Sequence, residues 1–142
     1  MMIVIGREII KKIYIICMML IVFQWINGQE PPVEFQFSQS TLQAFYFFTN
    51  VTLNGELIAS DDWVAAFNGN ICVGARQFYQ ACGGDACDVP AMGNDGSEYT
   101  GGYMLYGDIP TFKIYDVSSG NVYDAITSTP VDPWSVNGFS MN

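Results

Sequence analysis

One stretch of the chain groups side chains that could bind a metal ion. Carboxylates are concentrated in a predicted loop, and the candidates there are Asp85, Asp88, Asp95 and Glu98. Calcium prefers six to eight such oxygen ligands on a flexible loop, although no EF-hand spacing is present. The competing interpretation is that these loop acids are only solvated. Calcium is therefore the one cofactor that the sequence leaves open, and no other is expected.

The residue types that are missing narrow the chemistry further. The sequence has no histidine, which removes Ser-His-Asp and Cys-His catalysis as well as histidine-ligated zinc. Asp61 and Asp62 are adjacent on a predicted strand, so their side chains point to opposite faces and do not form a glycosidase pair. We predict that the protein is not an enzyme.

Aromatic and amide side chains supply two other candidate sites. Four tyrosines lie in or near the long predicted loop and could stack on a sugar ring: Tyr79, Tyr99, Tyr103 and Tyr106. Trp63, on an alternating strand, is expected in the core. The tripeptide at residues 50–52, Asn-Val-Thr, is an acceptor motif for N-glycosylation at Asn50. A chance match is the competing interpretation of that motif.

The first 28 residues have the composition of a secretory signal peptide. Three basic residues, the last of them Lys12, precede an apolar run at residues 13–26, and cleavage is predicted after Gly28. The run is shorter than the roughly 20 residues of a membrane-spanning helix, although a retained anchor is the alternative. We expect a secreted, extracellular protein, either free or attached to the cell surface, that meets the membrane only through this leader.

Export makes disulfide bonds feasible. Cys82 and Cys87 flank a short glycine-containing loop and form the favoured pair, with Cys72 left as a buried thiol in a strand. A bridge from Cys72 to either of the other two is the alternative, because spacing alone does not fix connectivity.

The charge balance excludes a class of partners. The chain has 5 basic and 14 acidic residues, for a net charge of -9. Three of the basic residues and Glu8 belong to the leader, so the remainder has 2 basic and 13 acidic residues, a net charge of -11. An acidic protein of this kind is not expected to bind nucleic acid or a membrane surface, since both need clustered cations.

Short alternating segments separated by Gly and Asn turns dominate the rest of the chain. Strands are predicted at residues 33–38, 41–52, 56–59, 63–67, 71–77, 103–106, 111–115 and 122–127, and residues 80–102 are predicted to be a loop. This pattern predicts an all-β fold with a single antiparallel β-sandwich, jelly-roll or immunoglobulin-like. The predicted organisation is a signal peptide at 1–28, an extended N-terminal arm at 29–39 and the sandwich at 40–142.

Two segments carry a resemblance to a known class of module. Residues 62–76 read DWVAAFNGNICVGAR, and residues 102–104 (GYM) are followed by 110–116 (PTFKIYD). Together they resemble secreted bacterial β-sandwich surface modules, similar to subunits of pilus-like extracellular fibrils from environmental samples. The resemblance implies a β-sandwich that is displayed or polymerised outside the cell, and it implies no catalytic residues.

The arm is the feature on which the functional prediction depends. Val33, Phe35 and Phe37 alternate with polar residues after two prolines, so the arm could add as a strand to the sheet edge of a neighbouring copy. The sequence therefore predicts a structural subunit of an extracellular homopolymeric fibre. The alternatives are an ordinary first strand of the same domain, and a secreted module that binds carbohydrate or mediates adhesion, assisted by calcium, with glycans as partners.

Overall fold

The computed structural model describes residues 11–12, 30–78 and 87–141. The chain divides into two compact units, Met1–Glu30 and Pro31–Asn142. In the first unit Lys11 and Lys12 are helical. None of the helices that the described residues form is long and apolar enough to cross a membrane. The apolar run at 13–26 and the predicted cleavage position lie outside the described residues, so the leader stays a prediction.

The second unit is built from short strands. In the described part of this unit, a 3-10 turn at Val33–Phe35 precedes nine strands: β1 (Gln43–Phe48), β2 (Thr52–Leu53), β3 (Glu56–Leu57), β4 (Trp63–Asn68), β5 (Ile71–Gln77), β6 (Cys87–Met92), β7 (Thr111–Asp116), β8 (Asn121–Ala125) and β9 (Phe139–Met141). The predicted all-β fold is confirmed.

These strands form two larger sheets and one hairpin. The three-stranded sheet has the order β6-β1-β9, the four-stranded sheet has the order β5-β4-β7-β8, and β2 pairs with β3. All pairs are antiparallel except β1 with β9, which is parallel. The one parallel pair departs from the purely antiparallel prediction.

The core lies between the inner faces of the two sheets. On β1 the alternation places Ala44 and Tyr46 inside, and they face Val64, Ala66 and Phe112 of the four-stranded sheet. Burying a large apolar side chain contributes about 1.5–3 kcal/mol, so these strands owe their stability to the packed face. Burial, with the charge of Asp132 as a smaller cause, raises the pKa of Tyr46 to about 12.

The predicted hairpin turn at residues 54–55 is present. Asn54 and Gly55 have φ angles of 55° and 87°, the left-handed pair that a tight two-residue turn between twisted strands requires. The sequence signal for this turn was local, and it correctly joined β2 to β3.

Within residues 40–142, two strands were not predicted, and one predicted strand is absent. Strand β6 lies in the segment predicted as a loop, and β9 follows the last predicted strand. Pro90 interrupts the β6 pattern, yet it is tolerated because β6 is an edge strand of its sheet. Residues 103–106 form no strand, and Met104 makes only a single bridge with Gly93.

The two sheets are in close contact where β5 passes β6. A Cβ atom built on Gly74 would lie 1.9 Å from the carbonyl oxygen of Pro90, a distance that no side chain tolerates. An ion pair between Arg76 of β5 and Asp88 of β6 lies beside this contact. A glycine at position 74 therefore sets the spacing of the two sheets on this side of the sandwich.

We expect Gly74→Ala to destabilise the domain by about 2–3 kcal/mol or more, because backbone would have to move to admit the methyl group. The measurement is the midpoint of urea unfolding. Gly101→Ala is the matched control, since a Cβ at Gly101 meets nothing within 4 Å. Equal midpoints for the two variants would contradict the role given to this contact.

Candidate functional site

A cleft of mixed polarity opens between the end of β1 and the strands β7 and β8. Its volume is about 440 Å³, within the range of roughly 300–1,000 Å³ typical of ligand sites. Its floor belongs to the core between the sheets and includes Phe48, Val51, Val64, Phe112 and Ile114. The cleft therefore reaches the interior of the sandwich from its side.

The free edge of β8 borders this cleft. β8 is the terminal strand of its sheet, and among the described residues its backbone pairs only with β7. Lys113 of β7 and Asp124 of β8 form an ion pair of 2.7 Å across the two strands. Unpaired edge groups are a template for another strand, so a further strand can pair with this edge beside the cleft.

Asn50 stands at the rim of the cleft. It is exposed, in the loop between β1 and β2, and its motif partner Thr52 is also exposed. An acceptor in this position is accessible to solvent, and glycosylation of Asn50 stays a prediction.

The predicted strand in the arm is wrong. Residues 33–35 form a 3-10 turn, with the Phe35 amide donating to the Pro32 carbonyl at 2.8 Å. The alternation of Val33, Phe35 and Phe37 suggested a strand, but the turn leaves Val33 74% exposed and buries Phe35 completely. Pro32 directly precedes the turn, where no amide hydrogen is needed, so a proline fits there.

Phe35 is buried on the outer face of the four-stranded sheet, in a site that we call the arm socket. The socket consists of Trp63, Ala65, Phe67, Cys72 and Ala75, with Tyr115 packed against it. The ring of Phe35 meets Phe67 at 5.7 Å and Tyr115 at 6.2 Å between centroids, both edge to face. Such pairs stabilise by about 0.5–1.5 kcal/mol beyond the area they bury.

The three candidate calcium ligands that the structure describes are not brought together. Among the described residues no three acidic or cysteine side chains are placed to share a metal ion. Asp88 forms an ion pair with Arg76, and the carboxylate of Glu98 accepts a hydrogen bond from the hydroxyl of Tyr99. Asp85 lies outside the described residues, so the four-residue set is incomplete here.

Asp95 has a structural role instead. Its carboxylate accepts hydrogen bonds from the amide and hydroxyl of Thr41, from the Ser97 amide at 3.1 Å and from the Thr100 hydroxyl at 2.8 Å. These donors hold the pKa of Asp95 far below its usual range. The carboxylate ties the loop after β6 to the residues just before β1.

The candidate sugar-binding tyrosines that the structure describes differ in their exposure. Tyr99 and Tyr106 are exposed, at 69% and 86%, as a stacking role requires. Tyr103 is buried, and its hydroxyl accepts a hydrogen bond from the Ser38 amide at 2.7 Å, so it serves the core rather than a ligand. Tyr79 lies outside the described residues. Trp63 is buried as expected.

The structure describes two of the three cysteines that follow the predicted leader, Cys72 and Cys87. Cys72 is a free, buried thiol in β5, so the alternative bridges through Cys72 are not formed. Burial raises its pKa to about 11. Cys87 is disulfide-bonded, but its partner is outside the described residues. The Cys82–Cys87 pairing stays a prediction.

Sequence reasoning missed the role of Asp62. This buried carboxylate accepts hydrogen bonds from the amides of Ala59, at 2.8 Å, and Val117, at 2.9 Å. These hydrogen bonds join the chain before β4 to the chain after β7. Both carboxylate oxygens therefore accept from backbone amides. Its only sequence signal was an acid placed directly before an apolar strand.

Asp95→Asn should lower the urea midpoint at pH 7 but have a smaller effect at pH 3. The pKa of Asp95 is lowered by folding, so its stabilisation is complete above the unfolded-state pKa of about 3.9 and is lost as the pH falls below it. Glu56→Gln, an exposed carboxylate on β3, is the control. A difference between wild type and Asp95→Asn that does not change with pH would contradict this assignment.

No known protein-family model matches this chain, and neither a curated protein nor a solved structure matches it.

Proposed function

We propose that this chain is a non-enzymatic structural subunit of an extracellular fibre, in which a strand from a neighbouring copy adds to β8. The proposal is supported by one observation, the unpaired edge of β8 with a cleft beside it. Main-chain hydrogen bonds to an edge provide affinity, and pockets for alternate side chains provide specificity.

The cleft suits a strand better than it suits a polar small molecule. Its floor is phenylalanine, valine and isoleucine, while its rim includes the polar side chains of Thr52 and Asp124. An added strand would place every second side chain on the floor and the others towards solvent. A donor therefore needs apolar residues at alternate positions.

The arm, residues 29–39, has that pattern and is the proposed donor. Val33, Phe35 and Phe37 are spaced two residues apart, and a strand rises about 3.4 Å per residue. Donor and acceptor are different surfaces of one subunit, so repeated addition is heterologous and gives an open filament when the rotation does not close.

The charge of the domain sets a condition on assembly. The sequence from residue 29 onward has 13 acidic residues and only Arg76 and Lys113 as cations. Both cations are already paired with aspartates, at 30–43% side-chain exposure. Copies therefore repel one another at low salt, and contact must come from backbone pairing and apolar burial.

Ala125→Glu is expected to abolish filaments while leaving a folded monomer. Ala125 is half-buried at the end of β8 and lines the cleft, so the new carboxylate would meet an incoming apolar side chain. Leu105→Glu, at an exposed apolar position away from the cleft, is the matched control. Filament mass is measured by sedimentation and electron microscopy.

Deletion of residues 29–39 should also abolish filaments, because it removes the donor. Filaments from the deleted chain, or a wild-type protein that stays monomeric at high concentration and physiological salt, would contradict the proposal. Glycan binding by the exposed Tyr99 and Tyr106 in a monomeric protein would favour the carbohydrate-binding alternative.

A further inference from the structure

The donor segment already has a defined binding site on its own domain. Phe35 is fully buried in the arm socket, whereas Val33 and Glu34 beside it are exposed. The docked arm is thus held mainly by one side chain, with Phe37 packed at the margin and the Ser38 amide bonded to Tyr103.

The docked arm also covers a part of the sheet that would otherwise be exposed. Cys72 lies in the socket at 7% exposure, next to an open groove that residues 34–38 border on one side. Removing Phe35 from this face would uncover Phe67 and Cys72. The socket therefore has an apolar surface that needs an occupant, and the structure seats residues 31–37 there.

We infer that the arm socket is a reversible binding site for the N-terminal segment, and that docking of the arm on its own domain competes with its donation to a neighbouring copy. The second half of the inference rests on the proposed function; the first half does not. The arm has two positions: stored in the socket of the free subunit, or added to β8 of the next subunit.

Storage is favoured in the free subunit for a physical reason. The arm is joined to β1 by only a few residues, so its effective concentration at its own socket is high. Undocking breaks the Phe35 contacts but none of the strand pairing in the two sheets. It is therefore a local opening that needs less free energy than global unfolding.

Cys72 provides a direct readout of undocking. Alkylation of this thiol by iodoacetamide, followed by peptide mass mapping, measures how often the socket opens. We expect Phe35→Ala to raise the labelling rate of Cys72 at least ~10-fold. Phe78→Ala truncates a buried phenylalanine of the other cluster and should change the rate by less than ~3-fold under native conditions.

A socket variant separates storage from donation. Tyr115→Ala weakens the socket without changing the arm, so it should raise Cys72 labelling and shorten the lag before filaments appear by several-fold. Tyr106→Ala removes an exposed tyrosine and should change neither quantity.

Each result has a separate meaning. Unchanged Cys72 labelling in Phe35→Ala overturns the storage site, whatever the filaments do. Faster labelling in Tyr115→Ala with an unchanged filament lag overturns the competition. If no variant and no wild-type sample forms filaments, the proposed function is contradicted, while the labelling rates still decide whether the socket releases its occupant.

Discussion

The carbonyl of Pro90 can lie against β5 only because residue 74 has no side chain. That contact brings the edge of the three-stranded sheet onto the edge of the four-stranded sheet, and the Arg76–Asp88 pair adds a polar link beside it. Moving the two sheets apart here would lose packing contacts, since protein interiors are as dense as organic crystals. The sandwich is thus closed along the side where β5 and β6 meet.

The opposite edge of the four-stranded sheet is formed by β8. The core residues Phe112 and Ile114 lie on β7 and line the cleft, and among the described residues β8 beside them is the last strand of the sheet. On the outer face of the same sheet, the arm covers Phe67 and Cys72. Among the described residues, the four-stranded sheet thus has an unpaired edge at β8 and, on its outer face, the socket that Phe35 fills. In the function that we propose, the arm uses both.

The sequence predicted what short-range patterns encode. Short apolar and aromatic segments at β1, β4 and β7 and the Asn54-Gly55 turn correctly predicted strands and a hairpin, since each signal depends on neighbouring residues. It did not predict the burial of Phe35, which depends on a socket built from distant strands. It also did not predict the burial of Tyr103, whose hydroxyl accepts a hydrogen bond from the Ser38 amide. β6 was missed because Pro90 breaks the pattern. The cleft could not be predicted because its lining comes from segments that are distant in the sequence.

The parallel pairing of β1 with β9 has a consequence for how the domain folds. Phe45 and Phe47 stack on Phe139, so the central strand of the three-stranded sheet receives its second neighbour from almost the opposite end of the domain. Contacts this distant along the chain must close a large loop before they stabilise anything, which slows folding. Because β9 is the last strand of the described chain, β1 gains this neighbour only after nearly all of the domain has been synthesised.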